Sequence, residues 1–187
     1  MEKASGESWY DYVAHHVVQA AGMTGSGAFE GDREVPNLAT GYTFWRSINE
    51  REAVFDPRER RNTTFISALR GNPAAGTYST VRDLDCLVQA IERCRLVSCA
   101  ARDAMFKQHV TKTAYAWSSV QQGYGYGVET RTIDGDELVG KSGDLAGASA
   151  QLSIDRRRGI TIVVLSNYDA IAQPVAELIE DVVRRVQ

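Results

Sequence analysis

From Gly123 to Tyr168 the chain reads as a run of extended segments joined by links too short for a parallel connection. "YGYGVETRTI" is followed by Asp134-Gly135, a strong hairpin-turn dipeptide, and "ELVGKSG" is then the returning strand. "GASAQLSID" alternates Ala148, Ala150, Leu152 and Ile154, and a basic turn, Arg156 to Gly159, leads into "ITIVVLSNY". That last run has the β-branched density of a central strand. A parallel crossover needs roughly a dozen residues or more, so these four strands must pair antiparallel. The chain then closes with a helical pattern in which Pro174 falls in the first turn, where its missing N–H costs little. Val175, Leu178, Ile179, Val182, Val183 and Val186 share one face of it. The fold class this predicts is α+β: an antiparallel β-sheet packed by an amphipathic C-terminal helix, with further helices from the N-terminal part.

Those further helices carry their own signals. Residues 7–21, "ESWYDYVAHHVVQAA", place Trp9, Tyr12, Val13, His16, Val17 and Ala20 on one face, with Ser8 as N-cap and Gly22 as stop. His15 and His16 are adjacent and cannot form an i,i+4 metal pair. Residues 24–35 read as a loop, and residues 35–45 as an extended segment touching the core. "NEREAVFDPRERRN" reads as a solvated excursion whose arginines, Arg58, Arg60 and Arg61, lie on the surface. Thr80-x-x-Asp83 resembles a capping box ahead of the stripe Val81, Leu84, Leu87, Val88 and Ile91. A second helix is expected from about Ser98 to His109, with His109 favourably placed at its C-terminal end.

At 187 residues the chain suits one domain, 1–187, and is long enough to bury roughly 70% of its unfolded surface. Lys and Arg number 21 against 24 Asp and Glu, a net charge of −3 that points to no nucleic acid or membrane surface. The longest strongly apolar run, near Ile160 to Leu165, is far short of the roughly 20 residues of a membrane span. The opening "MEKASGESWY" has no apolar signal core. Cys86, Cys94 and Cys99 are spaced without a C-x-x-C, so the expectation is three thiols in helices, with neither a metal site nor a disulfide.

"GDELVGKSG", Gly135 to Gly143, fits two patterns at once. One is the phosphate loop G-x-x-x-x-G-K-[ST], which would make the chain a nucleotide binder. The other is the K-[ST]-G triplet of serine β-lactamases and penicillin-binding proteins. A phosphate loop leaves a buried parallel strand and opens a helix. Here the first glycine belongs to a hairpin turn, Asp136 and Glu137 would face the phosphate, and "GDLAGASA" is a poor helix start.

The second reading gains from its neighbours. "AGMTGSG", "NLATGY", "NPAAGTYSTVRDL", the hairpin carrying Lys141-Ser142-Gly143 and "ITIVVLSNYD" follow one another in a single register. Together they resemble the C-terminal half of the class C β-lactamase-like serine hydrolases, which include penicillin-binding proteins, D-aminopeptidases and esterases. The resemblance implies a partial β-lactamase/transpeptidase-like fold and a small-molecule acyl substrate, with no cofactor and no metal. It implies that Lys141 and Ser142 hold a substrate carboxylate, Gly143 lets the strand approach the acyl group, and the Asp144 N–H is one oxyanion donor.

The same family places its nucleophile in Ser-x-x-Lys and a second motif in Tyr-x-Asn. No serine in the sequence has lysine three residues on; Ser79-x-x-Arg82 and Ser67-x-x-Arg70 come nearest, and arginine cannot serve as a neutral base. No tyrosine has asparagine two residues on. The expectation is therefore a chain that is catalytically incomplete by itself, with both motifs in a half preceding Met1. Its exposed apolar face would be covered by that half or by a second copy. A non-catalytic binding module on the same fold is the alternative. Relatives of this kind are often periplasmic, but the sequence assigns no compartment.

Overall fold

The computed structural model describes residues 1–28, 34–49, 52–63, 71–112, 121–133 and 135–186. Asp134 of the hairpin turn, Ser67, Arg70 and residues 29–33 of the first loop lie outside the described residues. The chain begins with α1 (Glu2–Ser5) and α2 (Trp9–Val13), and α2 continues into a π-helical stretch, Ala14–Gln19. Short ladders follow: β1 (Gly27–Ala28), β2 (Tyr42–Thr43), β3 (Trp45–Asn49), β4 (Glu52–Phe55), β5 (Arg61–Asn62) and β6 (Thr77–Tyr78). Helices α3 (Val81–Glu92) and α4 (Cys99–Phe106) precede the main sheet. Its strands are β7 (Val110–Lys112), β8 (Gln121–Tyr124), β9 (Glu129–Ile133), β10 (Asp136–Leu145), β11 (Ala148–Asp155) and β12 (Ile160–Ser166), and α5 (Ala172–Val186) closes the described chain.

The main sheet is a six-stranded antiparallel meander in the order β12-β11-β10-β9-β8-β7. Asp136 faces Ile133 across the two-residue turn, and Gly135 there has a φ of 86°. The sequence expectation of four strands is corrected to six. "YGYGVETRTI" breaks at Gly125–Val128, where Gly125 N–H bonds the Val128 carbonyl, giving β8 and β9. β7 follows α4 directly. β12 is corrected from central to edge strand: among the described residues its only ladder partner is β11.

Successive residues of a strand face opposite sides, so the sheet has two distinct faces. On one, Val139 and Ile154 pack with Val88 of α3 and Phe106 of α4, joined by Ile91, Met105, Val128 and Leu152. On the other lies α5. It packs on the sheet as expected, but through a different face. Ala172, Ala176 and Glu180 are buried, whereas Leu178 is 67% and Val182 61% exposed. Glu180 accepts an ion-pair hydrogen bond of 2.6 Å from Arg131 of β9, and Arg131 also donates to Ser153 of β11. Alanines permit the close approach, and the Arg131–Glu180 pair fixes the position. The apolar stripe read from the sequence points away from the sheet.

Near the N-terminus, Ser8 caps α2 and Gly22, at φ 75°, stops the helix. The π-helical stretch rotates the later residues, so that Val18 and Ala21 pack with Met23 and Ala90 while His16 and Ala20 are exposed. Thr80 accepts from the Asp83 N–H as the capping box requires. The Asp83 carboxylate, however, turns to Gly25 N–H (2.7 Å) and Ser26 Oγ (2.6 Å), tying the first loop to α3. The excursion expected after residue 48 contains the β3–β4 hairpin instead. The cysteine expectation is also corrected: Cys94 and Cys99 form a disulfide, and Cys86 is free. Cys94 leaves α3 at a φ of 56° and Cys99 opens α4, so the reversal between the helices brings the two sulfurs together.

Candidate functional site

β10 is ten residues long, and its pairing with β9 ends at Gly140 opposite Glu129. Lys141, Ser142, Gly143, Asp144 and Leu145 run on past that point, and among the described residues they pair on one side only, with β11. The predicted site residues therefore lie on one open strand segment. This is also the end of the phosphate-loop reading: Gly140-Lys141-Ser142 is mid-strand, and no helix follows it.

Two glycines in the segment have different origins. A Cβ on Gly140 would overlap the Leu152 carbonyl oxygen, so the close pairing of β10 with β11 demands glycine there. A Cβ on Gly143 would meet nothing within 4 Å. Packing does not require glycine at position 143, and the space beside it is open.

Lys141 and Ser142 converge on one carboxylate. The Lys141 ammonium donates to Glu129 Oε1 at 2.9 Å and to the Ser142 carbonyl at 2.9 Å. The Ser142 hydroxyl lies 3.2 and 3.1 Å from the two Glu129 oxygens. Lys141 and Ser142 leave the strand on opposite faces, so the lysine reaches Glu129 by bending round the open edge of β10. Its ammonium also lies 5.8 Å from the centre of the Tyr124 ring. Partial burial pulls the Lys141 pKa down, but the Glu129 carboxylate, with help from Tyr124, outweighs it and holds the ammonium above its ordinary value. Asp144, exposed, shares the Ser142 face.

Glu129 lies outside the motif, yet the sequence carries a signal for it. A two-residue turn at 134–135 fixes the register and puts Glu129 opposite Gly140, diagonal to Ser142. The remaining sequence candidates stay apart from this corner. His15 and His16 are exposed beside Glu7. Arg58 pairs with Asp56, Arg61 with Glu59, and Arg60 lies over the Phe44 and Tyr168 rings. Ser79 Oγ lies 2.7 Å from Ser26 Oγ. α4 ends at Phe106, short of the expected His109, whose ring nitrogen still bonds the Ala104 carbonyl of the last turn. Among the described residues no group of three or more His, Cys, Asp or Glu side chains could hold a metal ion.

The elements around the corner match the order in which the sequence presents them. Gly41 abuts Gly147 so closely that a Cβ on Gly41 would lie 2.5 Å from the Gly147 carbonyl oxygen. Asp169 accepts from both Gly147 N–H (2.6 Å) and Thr43 Oγ1 (2.8 Å). The "NLATGY" segment is thereby fastened to the β10–β11 turn and to the end of β12. A profile of the β-lactamase family matches residues 1–184. The chain belongs to the β-lactamase family. Among solved structures, this family member is similar to a penicillin-binding protein from Bacillus halodurans, with TM-score 0.79 and 24% identity over 97% of this chain and 52% of that one. The octameric penicillin-binding protein homologue from Pyrococcus abyssi gives TM-score 0.70 and 24% identity, over 94% and 37%. A D-amino acid amidase from Ochrobactrum anthropi SV3 gives TM-score 0.70 and 18% identity, over 100% and 56%. The β-lactamase-family chain thus spans about half, or less, of these solved relatives. Comparison with curated proteins gave no match. Like the family expectation, the architecture is a mixed helix-and-sheet part of the β-lactamase/transpeptidase-like fold.

Proposed function

We propose that residues 1–187 form the C-terminal portion of a serine acyl hydrolase domain and supply one wall of its active site. The observation that carries this is the convergence of Lys141 and Ser142 on a carboxylate, on a strand that outruns its neighbour. Lys141 brings a point charge and Ser142 a hydroxyl to orient an acyl substrate, and Gly143 leaves room for it. The Asp144 N–H serves as one oxyanion donor. The substrate is a small acyl compound: a β-lactam, a D-amino-acid peptide or amide, or an ester. The penicillin-binding and D-amino acid amidase relatives support that class.

The nucleophile comes from outside these residues. Without a Ser-x-x-Lys there is no acyl-enzyme, so the chain by itself turns over neither nitrocefin, a p-nitrophenyl ester, nor a D-amino-acid amide. Turnover by the pure chain, abolished by Lys141→Ala, would sink this reading. Binding of the uncharged ester or the amide without turnover, weakened by Lys141→Ala, is the expected result. We infer further that the outward stripe of α5 and the free edge of β12 are covered in the working protein, by the rest of the catalytic domain or by a second copy.

A further inference from the structure

The corner is already occupied. Lys141 commits its ammonium to Glu129 and to its neighbour's carbonyl, and the single Ser142 hydroxyl proton faces the same Glu129 carboxylate. We propose that Glu129 is a built-in occupant of the Lys141–Ser142 clamp, which turns the corner away from acyl substrates bearing a free carboxylate beside the scissile bond. It favours those bearing an ammonium or no charge there. The proposal rests on the reading of this corner as an acyl-substrate wall.

Three observations carry it. The first is tethering. Glu129 ends the β9–β10 ladder directly opposite Gly140, so its carboxylate is held beside Ser142 by the sheet itself. A group joined through a short, ordered link competes at an effective concentration of at least about millimolar. A free carboxylate must displace it. The second is commitment. Glu129 is only 24% exposed against 48% for Lys141, so the acid is the more enclosed member of the pair, and the base is the one that reaches in. The third is charge. Lys141 is balanced by Glu129, and Asp144 adds a further carboxylate on the Ser142 face, leaving these three groups net negative. Arg131, two residues from Glu129 on the same face, is engaged by Glu180 and Ser153. An incoming carboxylate meets repulsion, whereas an ammonium meets Glu129. The raised Lys141 pKa agrees with a paired ammonium.

The test uses two probes that differ only in this charge, N-acetyl-D-Ala-D-Ala and its C-terminal amide, titrated into the wild-type chain and into Glu129→Gln. The readouts are the Ser142 backbone amide and the Lys141 side-chain resonances by NMR. The wild type is expected to prefer the amide, and Glu129→Gln to bind the acid about tenfold tighter than wild type with little change for the amide. The Lys141 ammonium should also titrate at lower pH in Glu129→Gln, because the paired carboxylate is lost; the separate loosening of the acid's exclusion is what distinguishes an occupant of the clamp from a structural partner. The same acid-to-amide preference in both chains, or an unmoved Lys141 titration, would overturn the role of Glu129 while leaving the acyl-wall reading intact. If neither probe shifts either resonance in either chain, the corner is no acyl wall and both readings fall together.

Discussion

The two glycines of β10 separate folding from function at the level of single residues. Gly140 has a backbone oxygen where a Cβ would sit, and Gly143 has open space. Gly140→Ala is expected to destabilise by about 1–3 kcal/mol as the strands are forced apart, and Gly143→Ala to stay within about 0.5 kcal/mol of wild type. Urea denaturation of the two variants reads the contrast directly; equal losses would remove the case for reserved space at Gly143. Two enclosed carboxylates, Asp83 and Asp155, contribute stability that acid removes. Burial raises the pKa of Asp83 and of Asp155, but bonds from Ser26 and Gly25 to the first, and from Arg158 to the second, outweigh it and hold both below the ordinary carboxylate value. A depressed folded pKa gives stability that is fully present above the unfolded value and lost as pH falls through the folded one. Melting temperature should therefore be flat in these terms down to about pH 4 and decline below it. Asp155→Asn should make the acid decline shallower, as measured by calorimetry across a pH series.

At the level of elements, periodicity shows which face of a segment is apolar but not what covers it. The α5 stripe is legible in the sequence, yet the helix meets the sheet through Ala172, Ala176 and Glu180, because the buried Glu180 finds its cation in the half-buried Arg131 of β9. Arg131→Met alone should cost about 3 kcal/mol by leaving Glu180 buried and unpaired, and Arg131→Met with Glu180→Leu should recover most of that loss in denaturant titrations. The β-branched run of β12 likewise marks a strand but not its place at the edge. Turn chemistry is the more dependable guide. Asp134-Gly135 fixes the hairpin register and with it the setting of Lys141 and Ser142, whereas the turn at 125–128 is hidden inside an apparently continuous strand. The disulfide is invisible for a similar reason: it depends on the helix reversal at Cys94, not on spacing. The native chain should yield one thiol to Ellman's reagent, that of Cys86, and three after reduction and unfolding.

For the molecule as a whole, the exposed stripe of α5, with Val175, Leu178, Ile179, Val182 and Val186, adjoins a sheet edge of high β propensity. The isolated chain is expected to associate with itself at micromolar concentration. Leu178→Lys together with Val182→Lys should shift light scattering toward the monomer while leaving the melting temperature near wild type, since neither side chain is buried. A wild-type chain that remains monomeric would remove the need for a covering partner. The meander itself has a kinetic consequence. Among the described residues each strand pairs only with the one before and the one after it in sequence, so none of these ladders requires a distant segment to be found first. Closure of the sheet itself then comes in small steps, which favours zippering outward from the turn at Gly135. The ladders that set Lys141 and Ser142 beside Glu129 are thus closed by near neighbours in sequence, and the helices that brace them come from farther away.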